Sequence, residues 1–258
     1  MRDPHVERLR FAIGSEKGSE YDNPKPLAFE NALGRFRTEE GALLVEPADH
    51  FPDEAAARSV VEPFLRSWEI GADLTGNAGA IRFKFLSAEV IDRNPPPPGT
   101  PQQISLAGTV RIGIRGGTAT LLITRRSYPP PPADFTASPD VISAYDRWRG
   151  YQAGNEPLLS MAYFVLTLAD ATAQGRRRDA AKLLHVDFEV LRKLGELTAR
   201  RGDPKTARKA PQDGQFQKLS DTERAWLEEA VQKIIRRLGE KAAGAQLTSL
   251  TLKELPTL

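Results

Sequence analysis

A run of four prolines, Pro129 to Pro132, divides the chain into two parts that favour different secondary structures. Consecutive prolines fix φ and lack backbone N–H donors, so the run opposes both helix and sheet. Before it, β-branched and aromatic residues favour strands, and after it Ala, Leu, Arg, Glu and Lys recur at helical spacing. The sequence therefore predicts an α+β protein, with a sheet-forming part followed by a helical part.

Three segments follow from this division. We predict an antiparallel sheet with a covering helix over residues 1–133, a helical bundle over 134–245 and a tail over 246–258. The strongest strand pattern alternates over 104–115, and Gly116-Gly117 then predicts a tight turn into a returning strand. A second alternating run extends from Ile81 to Phe85. A hairpin of this kind indicates an antiparallel sheet.

The covering helix is predicted from apolar residues that recur at intervals of three and four. These are Ala57, Val60, Val61, Phe64, Leu65 and Trp68. Pro63 lies inside the pattern and removes one backbone donor. We therefore expect either a kink or two short helices, the second beginning at Pro63.

Local start and stop signals predict the helices of the second part. Ser138-Pro139 combines a cap with a first-turn proline, and Ser220-x-x-Glu223 is a capping box that opens the last helix. Asp187 caps a further helix, and other apolar patterns cover 158–173 and 178–184. Together they predict a bundle.

The composition excludes several functional classes. The chain has no cysteine, which rules out disulfides, thiolate nucleophiles, iron–sulfur centres and cysteine-built zinc sites. His5, His50 and His185 lie far apart in the sequence, so we predict no metal and no cofactor. Glycine-rich phosphate loops and the serine-hydrolase elbow are also missing. The charged first residues and the lack of a long apolar stretch predict a cytoplasmic protein that does not enter a membrane.

Arg178 and His185 are the sharpest candidates for catalysis. Arginine can stabilise a phosphorane-like oxyanion, and histidine can move a proton to or from a ribose hydroxyl. On a continuous helix, seven residues span nearly two turns and place both side chains on one face. The spacing resembles the motif of HEPN domains, four-helix bundles that include metal-independent ribonucleases. The alternative interpretation is a structural pair, with His185 held beside the cap residue Asp187.

A basic tract extends from Arg176 to Lys209, with 11 basic and five acidic residues. Such a concentration can neutralise phosphates, so nucleic-acid binding is one interpretation. The other is a solvated helix face, because no aromatic platform interleaves with the basic residues. The candidate binding residues are Arg176, Arg177, Lys182, Arg200, Arg201, Lys205, Arg208 and Lys209.

Several short segments of the helical part carry a resemblance to a known family. They are Arg149 to Tyr151, Gly154 to Leu158, Ser160 to Phe164, Val190-Leu191 with Lys193 to Gly195, and Ala207 to Lys209. In these the chain resembles an uncharacterised bacterial family labelled methylamine utilisation proteins, after an accessory gene in methylamine dehydrogenase clusters. The resemblance implies a role in making or using the dehydrogenase and carries no catalytic residue. We predict a non-catalytic accessory or binding protein with a protein partner; a HEPN-like ribonuclease or nucleic-acid-binding defence factor is the alternative.

Overall fold

The computed structural model describes residues 3–16, 19–76, 79–94, 123–203 and 217–258. The chain divides into two compact units, Met1–Pro131 and Pro132–Leu258, and the division falls inside the second proline run. The first unit holds a sheet and one long helix, and the second holds helices. This confirms the predicted α+β class. The predicted strand over 104–115 and the Gly116-Gly117 turn lie outside the described residues.

The first unit is built on a five-stranded antiparallel sheet in the order β3-β4-β5-β1-β6. A separate pair, β2 with β7, is parallel, which the antiparallel prediction did not include. Of these strands, only the start of β6 and the start of β7 fall within stretches that the sequence pattern predicted. The strands are β1 (Pro4–Gly14), β2 (Ser19–Lys25), β3 (Ala28–Asn31), β4 (Gly34–Glu39), β5 (Ala42–Pro47), β6 (Arg82–Asp92) and β7 (Ile123–Ser127).

The covering helix α1 (Glu54–Leu74) is continuous through Pro63, so the two-helix alternative is wrong. Proline removes one hydrogen bond from the helix, and burial of one face offsets that loss. The buried face includes Ala57, Val61, Leu65 and Trp68, which pack with Leu9, Phe11, Phe36, Leu43 and Val45 of the sheet. Val60, predicted on the same face, is 39% exposed.

Three helices of the second unit, α2, α5 and α6, begin at the predicted caps. Ser138 accepts a hydrogen bond from the Val141 N–H, Asp187 accepts one from the Glu189 N–H, and Ser220 forms the capping box with Glu223. The helices are α2 (Pro139–Gln152), α3 (Leu158–Ala171), α4 (Arg177–Leu183), α5 (Phe188–Arg200) and α6 (Asp221–Ala242).

Helix α3 is the centre of this unit. It contacts α2, α4, α5 and α6, and its buried residues include Leu159, Met161, Val165 and Leu166. It comes from the most apolar stretch of the sequence, which explains why it takes the central position. Among the described residues, no helix has both the length and the apolar character needed to cross a bilayer.

Gly34 at the turn into β4 permits a close backbone approach that a side chain would block. Its φ is +139°, and an added Cβ would lie 2.0 Å from the Glu46 carbonyl oxygen. We expect Gly34→Ala to lower the free energy of unfolding by about 3 kcal/mol, through backbone strain and this clash. Urea denaturation measures it. Gly14→Ala is the control, with nothing within 4 Å of the added Cβ, and we expect it to change stability by less than about 0.5 kcal/mol. Equal losses in the two variants would contradict the prediction.

Candidate functional site

An open groove with a volume of about 700 Å³ lies beside α4 in the second unit. Both candidate catalytic residues, Arg178 and His185, line it. Its walls come from α4 and the start of α5, and the segment around residue 250 completes it. The polar residues of the groove are Arg178, Lys182, His185, Asp187, Glu189, Ser249 and Thr251.

The groove floor is one face of a small two-stranded ribbon. Val186 and Leu250 form a parallel bridge. The Leu250 N–H donates to the His185 carbonyl oxygen at 2.8 Å, and the Asp187 N–H donates to the Leu250 carbonyl oxygen at 2.8 Å. Val186 and Leu250 are both buried. The residues on either side of them, His185 and Asp187 on one strand and Ser249 and Thr251 on the other, line the groove.

His185 does not lie on the same helix as Arg178. Helix α4 ends at Leu183, and His185 has a left-handed φ of 50°. The expected placement of both side chains on one helical face is therefore wrong. They line the same groove because the chain reverses after α4, with the His185 N–H donating to the Lys182 carbonyl oxygen at 3.2 Å. The left-handed conformation costs a non-glycine residue about 1–2 kcal/mol, which the flanking hydrogen bonds offset.

Arg178 and Lys182 form the basic wall of the groove. They lie four residues apart on α4, on one face of the helix, and both are exposed. The Arg178 guanidinium lies over the Phe188 ring, 5.3 Å from its centroid. Within the described part of the chain, neither side chain has an ion-pair partner.

The two carboxylates of the groove are already engaged. Asp187 caps α5 by accepting a hydrogen bond from the Glu189 N–H at 3.0 Å, and Glu189 accepts one from Arg192 Nε at 2.7 Å. In the described part of the chain, the groove therefore has two cations without an ion-pair partner, one carboxylate paired with Arg192, and one exposed carboxylate, Asp187, that caps a helix. The two cations outnumber the one unpaired carboxylate, which suits the groove to bind an anion.

Proton transfer by His185 would require a group that orients its ring. The ring is exposed, and among the described residues it has no hydrogen-bond partner. Arg178 is also exposed, on the wall of an open groove. The geometry brings the two candidates to one surface without enclosing them.

Two arginines of the predicted basic tract are held in ion pairs inside the unit. Arg177 binds Asp170, with Nη2 at 2.8 Å from Oδ2, and an added Cβ at Gly195 would lie 2.7 Å from Arg177 Nη1. Arg201 binds Glu223 through Nε at 2.9 Å and Nη2 at 2.8 Å. The guanidinium of Arg201 lowers the pKa of the Glu223 carboxyl. Arg177 therefore joins α4 to α3, and Arg201 joins the end of α5 to α6.

Two other arginines of the tract form ion pairs on the surface. Arg176 pairs with Asp179 at 3.2 Å, and Arg200 pairs with Glu196 at 3.8 Å. Both arginines are exposed, and surface pairs of this kind contribute about 0–1 kcal/mol. Lys205, Arg208 and Lys209, three further candidate binding residues, lie outside the described residues.

Sequence reasoning missed Ser249 and Thr251, which it placed in a tail. In the structure residues 246–258 pack on the helical unit, with Leu250 and Leu255 buried. One signal was present, since Leu250 and Leu252 alternate with Ser249 and Thr251 as in an extended segment. Its partner, Val186, could not be identified from so short a pattern.

The first unit brings together two histidines that are far apart in the sequence. The rings of His5 and His50 stack with their centroids 5.1 Å apart, and His50 Nε2 lies 3.4 Å from the Asp3 carboxylate. Nδ1 of His5 is buried without a hydrogen-bond partner. In the described ranges, no group of three or more His, Cys, Asp or Glu residues could hold a metal ion.

Burial lowers the pKa of His5, and the positive charges of Arg93 and His50 lower it further, against the opposing effect of Asp3 and Glu7. The unfolded chain therefore binds the proton more readily than the folded chain. We expect the first unit to be fully stable above the unfolded-state pKa of about 6.5 and to lose stability as the pH falls below it. Hydrogen exchange of the β1 amides at about pH 7.5 and about pH 5.5 measures this change.

The pH dependence should weaken in His5→Phe, which cannot be protonated, whatever its effect on absolute stability. His185→Gln is the control, since His185 is exposed in the other unit, and should keep the wild-type dependence. An unchanged dependence in His5→Phe would show that another group is responsible.

Comparisons with protein-family models, curated proteins and solved structures gave no match to this chain. The resemblances to methylamine utilisation proteins and to HEPN domains therefore remain predictions.

Proposed function

We propose that the protein is a non-catalytic, cytoplasmic accessory protein that binds a partner protein through the groove beside α4. The observation that supports this most strongly is the ribbon of residues 185–187 and 249–251, which presents polar side chains next to Arg178 and Lys182. The segments that resemble methylamine utilisation proteins suggest where the partner is found, among the proteins that make or use methylamine dehydrogenase.

The size and construction of the groove support binding. Its volume of about 700 Å³ lies in the range of sites that hold a ligand or a side-chain cluster. Its floor rests on two buried side chains and two backbone hydrogen bonds, so the polar groups above them are held in place before a partner arrives. Such preorganisation reduces the entropy that binding costs.

We expect the tagged full-length protein, purified from cells grown on methylamine, to carry a protein of the dehydrogenase pathway. The double variant Arg178→Gln/Lys182→Gln should recover at least about tenfold less of that partner, because it removes both free charges from the groove. Quantitative mass spectrometry of the recovered protein measures this ratio.

Arg236→Gln is the matched control. Arg236 is an exposed arginine on α6, outside the groove, and pairs with Glu240. Its variant should recover the partner at the wild-type level. Recovery of no pathway protein, or equal recovery by wild type and the double variant, would overturn the proposal.

A second candidate function is metal-independent RNA cleavage of the HEPN type. It is favoured by one observation, that Arg178 and His185 line the same groove. In this mechanism His185 accepts the proton of a ribose 2′-hydroxyl as that oxygen attacks the adjacent phosphorus. The bond from phosphorus to the 5′-oxygen of the next nucleotide breaks, the departing 5′-oxygen takes up a proton from the protonated His185 or from water, and a 2′,3′-cyclic phosphate remains. Arg178 stabilises the negative charge that develops on the phosphoryl oxygens.

For a binding protein we expect no RNA cleavage when the purified chain is incubated with single-stranded RNA and a chelator. Gel electrophoresis of wild type beside Arg178→Ala and His185→Ala makes the comparison. Cleavage that falls by at least about a hundredfold in both variants would replace the binding proposal with the ribonuclease. Equal traces of cleavage in all three proteins would exclude this pair of residues.

A further inference from the structure

We infer that the groove recognises an acidic segment of the partner, with the carboxylates of that segment bound by Arg178, Lys182 and Ser249. This inference rests on the proposed function and names the chemistry of the partner. It follows from three features of the groove. Its cations have no ion-pair partner in the described part of the chain, its own carboxylates already make other contacts, and apolar residues lie in its lining.

Arg178 is arranged to bind a carboxylate. Its guanidinium lies over the face of the Phe188 ring, 5.3 Å from the centroid. Among the described residues no carboxylate pairs with this guanidinium, so its N–H donors are available for the two oxygens of an incoming carboxylate. The contact also restricts a flexible side chain before binding, so less entropy is lost when the ligand arrives.

Lys182 and Ser249 add further hydrogen-bond donors to the groove. Lys182 is on the same face of α4 as Arg178, and Ser249 is on the ribbon. Both are exposed, and neither side chain has a hydrogen-bond partner in the described ranges. Thr251 differs, because its hydroxyl already lies 3.4 Å from the Glu254 carboxylate. The free donors therefore come from α4 and from the ribbon.

The acidic side chains of the groove cancel only part of this charge. Asp187 is engaged at the start of α5, and Glu189 is paired with Arg192. An incoming carboxylate therefore meets two cations with no counter-ion of their own in the described part of the chain. Charge complementarity of this kind determines which partner binds and how quickly.

Apolar residues that line the groove favour a protein segment over RNA. Ala181, Val186 and Phe188 lie in its lining beside the polar side chains. Such a mixed lining matches the apolar and polar surface of a protein partner. The aromatic residue of the groove, Phe188, has one ring face covered by Arg178, which leaves a poor platform for stacked bases.

The test uses the full-length protein and a fluorescein-labelled peptide of alternating glutamate and leucine, measured by fluorescence anisotropy. We expect it to bind at least about tenfold more tightly than the same peptide with glutamine in place of glutamate. Arg178→Gln/Lys182→Gln should lose at least about tenfold in affinity, Arg236→Gln should lose none, and added salt should weaken binding.

Equal affinities for the glutamate and glutamine peptides, or for wild type and the double variant, would overturn the inference. So would a single-stranded RNA of the same length that binds about tenfold more tightly than the peptide and loses that affinity in the double variant. The failure of the proposed function can be told apart from the failure of this inference. If a pathway partner is captured through the groove but the peptide does not bind, only the inference that the partner's segment is acidic is refuted. Peptide binding without a captured pathway partner refutes only the accessory role.

Discussion

Two backbone hydrogen bonds hold the groove together, and they join Leu250 to the turn between α4 and α5. Each bond contributes about 0.5–1.5 kcal/mol to stability. One of them holds the carbonyl group of His185, whose φ is left-handed. Val186 and Leu250 are buried, while His185, Asp187, Ser249 and Thr251 on either side of them line the groove. The groove therefore lies where the backbone of residues 185–187 pairs with Leu250.

The helices could be predicted from sequence and most of the sheet could not, because the two depend on signals of different range. Ser138, Asp187 and Ser220 act on backbone groups within three residues, so their effect is visible locally. Strand β1 pairs with β6, which follows α1 in the sequence, so this pairing joins residues that are far apart along the chain. Strand β5 is buried from Ala42 to Val45 and so lacks the alternation that predicts a strand. Proline inside a helix normally breaks or kinks it, but at Pro63 the packing of α1 on the sheet outweighs that local preference.

Part of the candidate site could be predicted from the sequence. The sequence identified Arg178, Lys182 and His185 as residues of interest, but the helical argument that joined Arg178 to His185 was wrong. Charge counts could not distinguish Arg177 from Arg178, since the difference depends on which face of α4 packs against α5. There Gly195 leaves room for the Arg177 guanidinium on its way to Asp170. Ser249 entered the site through a pairing with a distant part of the chain, which no local pattern contains.

The floor of the groove is built from two stretches of chain that are far apart in the sequence. A molecule bound in the groove would therefore affect how well these two stretches are ordered. A molecule that touches both α4 and Ser249 acts as a clamp across the ribbon, so its binding free energy is added to the free energy of separating the two strands. The chain beyond Thr251, anchored by the buried side chain of Leu255, would then fray less often when the clamp is in place. Fluctuations of this segment would thus report occupancy of the groove even though the segment following Thr251 need not touch the bound molecule.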